Sequence, residues 1–438
     1  MADLWLQPGD ILVERANTPE LVGTSCLYKG SSGWAIFPDL LIRVRVANEK
    51  ILPEYLEAFL RSQEARHYFM NAAQGTAGSM PKIDQSSIER LDIPLPPFAE
   101  QRRIVAKVQV LLARVSAARE RLEKVPILLK RFRQAVLAKA FRGELVPTEA
   151  ELAAREGRSF QSAVELLGQP TDAVNDELPE GWAEMPFRSL LRVPLRNGHS
   201  AKASGKPSGV RTLTLSAVTY GLFTEANTKL TVADPEKVTD LWLEAGDILI
   251  ERANTPELVG TARLYRGPKR WAIFPDLIIR ARIADRFAAP EYVELFLQSE
   301  STRRYFQEAA QGTAGSMPKI DQGAVERLRV ALPPLTEQRR IVFKVEALLA
   351  AAAKVEAEAN RQLRVLERAP QAILQKAFAG ELVPTEAELA SAEGRSFESA
   401  EELLHHVAAT PASRHPAEVA APRAKQRGRP RRTIGQSV

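Results

Sequence analysis

The chain has 438 residues, 45% hydrophobic and 26% charged, which suffices for two or three domains with ordinary cores. No apolar run is long enough to cross a bilayer, the opening Met1-Ala2-Asp3-Leu4-Trp5 lacks the pattern of a leader, and the single Cys26 excludes an internal disulfide, so a cytoplasmic protein is expected. The net charge of +6 equals the balance of seven basic residues and one acid within Pro411–Val438, so any binding of nucleic acid by the rest must rest on local patches.

Short β-type runs at Asp10–Val13 and Leu40–Val46 come first, divided by Gly, Pro and Asn turns. A helix is predicted over Pro53–Asn71, with proline in its favoured first turn. Pro96-Pro97 opens a long helical stretch. Its apolar residues (Ile104, Val108, Leu111, Val115, Ala118, Leu122, continuing to Val136) step alternately by four and three, which is a heptad seam. After a linker, further β-type runs fall at Thr212–Ser216, Asp247–Ile250 and Leu277–Ile283, and a helix at Pro290–Glu308. A second seam (Ile341, Val345, Leu348, Ala352, Val355) follows Pro333-Pro334 in looser register. Pro126 and Pro370 predict a kink or break in each seam. At 1.5 Å per residue each segment would be roughly 60 Å long. Each helix could pack on its own globule, but the recurrence of one seam in one chain favours pairing between the two.

Shifted by 237 residues, the chain aligns with itself without a gap, Asp3–Leu167 onto Asp240–Leu404. Glu14–Thr24 recurs unchanged as Glu251–Thr261, Trp34–Leu40 as Trp271–Leu277, and Ala72–Gln85 as Ala309–Gln322. The period is far too long for a solenoid and marks a duplicated domain pair. About sixty residues before Asp240 have no counterpart before Met1, so the first copy is expected to begin inside its module, through a start further upstream or through genuine shortening.

Leu95-Pro-Pro-Phe-Ala-Glu-Gln-Arg-Arg-Ile-Val105 and Leu332-Pro-Pro-Leu-Thr-Glu-Gln-Arg-Arg-Ile-Val342 resemble the opening of the conserved region in specificity subunits of Type I restriction-modification systems. So do Ala138–Pro147 and Gln375–Pro384 at the far helix ends, while Leu178-Pro-Glu-Gly-Trp182 is similar to the start of that family's target recognition domains. The resemblance implies an α+β fold with an internal pseudo-twofold repeat, in which two target recognition domains are separated by two long helices paired as an antiparallel coiled coil. The implied domains are 1–95 (first recognition domain, front missing), 96–145 (spacer helix), 146–177 (linker), 178–332 (second recognition domain), 333–382 (spacer helix), 383–410 (linker) and 411–438 (basic disordered tail). It further implies a non-catalytic subunit that binds a bipartite site on double-stranded DNA. Two methyltransferase subunits, joined by restriction subunits, would carry out adenine methylation and cleavage. No cofactor is expected on this chain; S-adenosylmethionine, ATP and magnesium would be bound by the partners. Methyltransferase docking is placed on Glu100, Gln101, Arg102 and Arg103, and on Glu337, Gln338, Arg339 and Arg340. The alternative is a truncated specificity subunit serving mainly as a methyltransferase scaffold.

The residues contain no catalytic centre to set against this. Leu95-Pro96-Pro97-Phe98 has leucine where an amino-methyltransferase needs a carboxylate or amide, and Gly205-Lys206-Pro207 lacks the context of a phosphate loop. His405, His406 and His415 sit late in the chain without metal-ligand spacing.

DNA reading needs cations for phosphates and forked or amide side chains for base edges. Met185–Leu230 is the best patch, with seven basic residues against one acid; Arg196, Asn197, Lys202, Ser204, Lys206 and Arg211 are its candidates, though a solvated surface loop would look the same. The repeated stretches add Arg252, Asn254, Thr255, Gln311, Thr313, Ser316 and Lys319, with Arg15, Asn17, Thr18, Gln74, Thr76, Ser79 and Lys82 in the first copy. Plain turn chemistry is the competing reading for these. Their exact recurrence predicts two half-sites that share most of their bases. The tail at Gln426–Arg432 resembles an AT-hook, against a disordered and nonspecifically adhesive tail as the first expectation.

Overall fold

Alternating apolar residues make Ile11–Glu14 (β1) a strand with Ile11 and Val13 turned inward. The computed structural model describes residues 4–75, 80–167, 178–204, 209–312 and 317–409, so the tail 411–438 lies outside it. The chain divides into two compact units, residues 1–120 with 364–438, and residues 121–363. Neither unit follows the boundaries of the duplication.

In unit one, β1 is the centre of an antiparallel sheet between Ser25–Leu27 (β2) and Leu41–Val44 (β3). The helix expected at 53–71 is two helices, Pro53–Leu60 (α1) and Gln63–Ala72 (α2). Ser62 restarts it, accepting the Ala65 N–H at 3.3 Å as an N-cap. A short helix, Gln85–Glu89 (α3), leads to Phe98–Glu123 (α4). Pro126 then breaks the first seam, because Val125–Phe141 (α5) begins anew with proline in its first turn. The expected linker 146–177 holds Glu149–Glu156 (α6) and Ala163–Leu167 (α7).

Unit two repeats this sheet with one strand more. Ala183–Pro186 (β4) precedes Leu191–Asn197 (β5), and Val210–Leu213 (β6) pairs with Thr228–Thr231 (β7) across Leu215–Tyr220 (α8). Asp247–Glu251 (β8), Ala262–Leu264 (β9) and Ile278–Ile283 (β10) match β1, β2 and β3, and β5 adds to the outer edge of β10. Pro290–Leu297 (α9), Glu300–Ala309 (α10) and Gln322–Arg327 (α11) follow; Arg329–Leu332 (β11) returns to pair with β4. Leu335–Phe378 (α12) runs through Pro370 as one helix, so of the kink or break expected there the break does not occur. Proline removes one helical hydrogen bond, but Ile373, Leu374 and Ala377 beyond it are anchored on Ile104 and Val108 of α4, which holds the helix together. Glu386–Glu393 (α13) and Ala400–Ala409 (α14) occupy what was expected to be a linker.

Each unit is closed by the end of the other copy's helix. In unit two, Val136, Leu137 and Ala140 of α5 pack on Ile341 and Val345 of α12, running the opposite way, and Arg133 pairs with Glu356. Phe141 then sets its ring edge-on to Tyr292 and Phe296, at 5.5 and 5.2 Å. In unit one the counterpart of Phe141, Phe378, meets Tyr55 and Phe59 at 5.4 and 5.0 Å. The helices that follow lock the exchange. α6 is capped by a Thr148–Glu151 box; its Glu149 pairs with Arg340 and Arg158, both at 2.7 Å, and its N–H donates to Glu337 at 2.7 Å. α13 repeats this, with Glu386 on Arg103 and Arg395 at 2.6 Å and its N–H on Glu100 at 2.7 Å.

Phe141→Ala and Phe378→Ala are each expected to lower stability by about 3 kcal/mol or more, read as an earlier unfolding midpoint of similar size in both variants. For the carboxyls, the Arg103 and Arg395 bonds hold Glu386 below the ordinary value of 4.5. Burial opposes the same shift at Glu149, but the bonds from Arg340, Arg158 and Thr336 outweigh it. A lowered carboxyl stabilises the fold fully above its unfolded value, and this contribution is lost as pH falls below about 4.5. The Arg103→Met, Arg340→Met double variant should therefore lose less thermal stability than the parent between about pH 5 and pH 3.

Candidate nucleic-acid interface

The two repeated stretches singled out in the sequence meet in space. In unit one Ile83 N–H donates to Arg15 O at 2.9 Å, and Gln74 and Lys82 exchange a pair of backbone bonds at 2.9 Å. This pins the loop after α2 beside the end of β1, around a shallow hollow lined by Ala16, Leu40, Ala73, Gln74, Met80 and Lys82. Unit two has the same fastening, Ile320 to Arg252 and Gln311 to Lys319, again at 2.9 Å. Gln322 Nε2 also donates to Asn197 Oδ1 at 3.0 Å, drawing the end of β5 to this place. Gln74, Lys82, Gln311 and Lys319 are all exposed. Thr76, Ser79, Thr313, Ser316 and Lys206 lie outside the described residues.

Asn17 and Asn254 are committed to turns. Asn254 Nδ2 donates to Glu251 Oε2 at 2.6 Å and its Oδ1 accepts the Thr255 N–H at 2.8 Å; Asn17 does the same with Glu14 and Thr18, at 2.7 and 2.8 Å. Glu251 is fully buried, which raises its carboxyl above the ordinary value, with the Thr219 and Asn254 bonds opposing. Arg15, Thr18 and Thr255 are exposed and Arg252 half-buried at the rim of these turns.

The basic patch is weaker in space than along the chain. Arg196 pairs with Asp240, Arg192 with Glu244 at 2.6 Å, and Arg211 with Glu225 at 3.0 Å while lying over the Trp271 ring. Asp240 and Glu244 lie beyond the 185–230 stretch, whose own single acid is Glu225. Lys202 stays exposed beside β7, where Val232 N–H donates to Lys202 O and Ser204 N–H to Leu230 O. Gly198 passes so close to Phe274 O that a Cβ would sit 2.1 Å away, which fixes the turn out of β5 as glycine.

Arg270 was not anticipated. It is exposed, takes a φ of 59° where the first copy has Gly33 at 71°, and lies over the Trp242 ring at 5.4 Å. A non-glycine residue in the left-handed region is held there by its surroundings. The exchange of glycine for arginine between the copies was the available signal.

Most of the Glu-Gln-Arg-Arg motif is internal. Gln101 Oε1 accepts the Leu52 N–H at 3.0 Å and Gln338 Oε1 the Ala289 N–H at 2.8 Å. Glu100, Glu337, Arg103 and Arg340 make the contacts to α13 and α6 described above. Burial pushes Glu337 up, with the Glu149 N–H and Trp182 indole opposing. Arg102 and Arg339 are the exposed members of the motif. Among the described residues there is no group of three potential metal ligands, and no helix is long and apolar enough to cross a membrane.

No family model matches the chain. It is 32% identical over 334 residues to the Type I restriction enzyme EcoKI specificity subunit of Escherichia coli strain K12, covering 76% of this chain and 66% of that protein. The StySPI specificity subunit of Salmonella potsdam is 29% identical over 333 residues, with the same coverage, so the chain spans just under two thirds of the length of both relatives. The HsdS subunit from Thermoanaerobacter tengcongensis superposes with a TM-score of 0.58 at 21% identity, covering 86% of this chain and 82% of that one. A chain of a type I R-M system superposes with a TM-score of 0.61 at 20% identity, covering 86% and 83%. The fold is the two-domain α+β fold of an HsdS subunit. The chain belongs to the family of Type I restriction enzyme specificity subunits.

Asn254→Ala is expected to lower the unfolding midpoint, by about 1–2 kcal/mol, because Glu251 loses a partner while buried. If that variant instead loses DNA affinity at an unchanged midpoint, the turn assignment is wrong.

Proposed function

We propose that this chain is the DNA-recognition subunit of a Type I restriction-modification complex, binding a bipartite duplex site and directing adenine methylation and restriction by partner subunits. The observation that carries this reading is the reciprocal exchange of helix ends, which builds two similarly constructed units from one duplicated chain. In each unit an exposed Gln and Lys are joined by the same pair of backbone bonds: Gln74 and Gln311 suit base edges, while Lys82, Lys319 and Lys202 suit phosphates. Asn17 and Asn254 are occupied by turns, so likeness between the half-sites traces to the glutamine and lysine pairs.

Arg102 and Arg339 are exposed at matching places in the first turns of α4 and α12, which fits the docking of two like methyltransferase subunits. S-adenosylmethionine, ATP and magnesium belong to those partners and to the restriction subunits in this scheme. A second reading, in which unit one docks a methyltransferase but reads DNA poorly, draws support from its exposed apolar side chains, such as Ile36 at 57% where Ile273 is fully buried.

Mapping methylated adenines in cells that express the chain with its methyltransferase tests both. The expected result is a split motif with a fixed spacer, relaxed in one half by Gln74→Ala and in the other by Gln311→Ala. Lys319→Ala should reduce the salt slope of DNA binding by about one. One defined half-site alone would favour the second reading, and the absence of any motif would defeat both.

A further inference from the structure

The two copies treat one carboxylate differently. In unit two Glu294 of α9, 6% exposed, accepts the Leu264 N–H and pairs with the Arg266 guanidinium, both at 3.0 Å. Arg263 lies near enough to feel the same charge: burial lowers its guanidinium, and Glu294 opposes this. The next residue, Leu295, is buried against the cluster of Leu137 and Val345.

In unit one the matching residues are Glu57, Lys29, Cys26 and Ala58. The two guanidinium groups are gone, and leucine has shrunk to alanine. A cavity of about 240 Å³ lies at this place, lined by Glu57 and Ala58 of α1. Its apolar wall is Val105, Val108 and Leu112 of α4 with Leu374 of α12; Val108 and Leu374 are at most 3% exposed. The Glu57 side chain is only 15% exposed, and among the described residues its one ion-pair partner is Arg61, at 3.5 Å and itself half exposed. Lys29 is exposed to solvent. Burial therefore raises the Glu57 carboxyl above its ordinary value, with Arg61 and Lys29 opposing. A buried carboxylate short of donors gains from a cation that brings its own hydrogen bonds. Unit two shows which group that is: a guanidinium on an alkyl stem, there supplied by Arg266.

We infer that the cavity of unit one binds a small alkyl cation, a guanidinium or primary ammonium on a short hydrocarbon stem. Glu57 takes the charge, and Val105, Val108, Leu112 and Leu374 take the stem. The site shares no lining residue with the hollow at Gln74 and Lys82, so it stands apart from DNA reading.

The test is calorimetric titration of the full-length chain with n-butylguanidinium, a free cation, and with acetyl-arginine amide, which presents the side chain of a partner protein. Saturable binding at one site per chain is expected, with a Kd of about 0.1–1 mM for at least one of them, and the tighter of the two identifies the source. Butylurea, of the same shape but uncharged, should bind about tenfold more weakly or worse. Ala58→Leu, which installs the residue of the second copy, should abolish binding, and Glu57→Gln should weaken it about tenfold or more. If either variant proves unfolded, the butylurea result decides. No saturation by about 10 mM, equal affinity for butylurea, or undiminished binding to folded Ala58→Leu overturns the inference.

Discussion

The structure depends on one exchange: the aromatic end of each copy's helix is seated in the other copy's globule. Phe141 against Tyr292 and Phe378 against Tyr55 are the same contact made twice with the partners crossed. It explains why the compact units disregard the order of the duplication. Residues 121–141 and 364–378 are distant in sequence from the globules they complete, and they are held there by aromatic packing and then by buried carboxylates. The helices act as structural members because both their ends are anchored; α12 carries Pro370 without breaking for that reason.

The carboxylates deserve separate weight because their environments differ by design of the motif. Glu149 and Glu386 face two arginines each and are stabilised in the charged form. Glu337 is more deeply placed and faces N–H donors, so burial dominates its ionisation. Removing both arginines from either cluster would leave a buried charge uncompensated, which costs more than the pairs contribute. The Glu-Gln-Arg-Arg sequence is thus chiefly the chain's own fastening, with a single arginine of each motif facing outward.

Much of this was legible in the sequence. The short β-type runs at 247–250 and 277–283 are β8 and β10, the heptad steps mark the helical seams, and self-comparison shows the repeat. Three things were not. The seam indicates that helices pair but carries no information about which globule receives each end. The Thr148-Glu-Ala-Glu151 capping pattern is present in the expected linker, but the eight residues of α6 span only about two turns, too few to establish a helical period. Charge was counted along the chain, whereas Asp240 and Glu244 reach arginines forty or more residues earlier. The repeated Asn17 and Asn254 showed the matching limit: recurrence marks a residue as needed, and here the need is a turn.

Crossed seating also constrains how such a chain can diverge. A substitution at Phe378 must be accommodated by Tyr55 and Phe59, which belong to the other half of the gene, and a substitution at Phe141 by Tyr292 and Phe296. The halves therefore cannot drift apart at their joints, although the turn at Arg270 answers to neither. Shuffling of one half between related genes would preserve assembly wherever these joints match, leaving the recognition surface free to change.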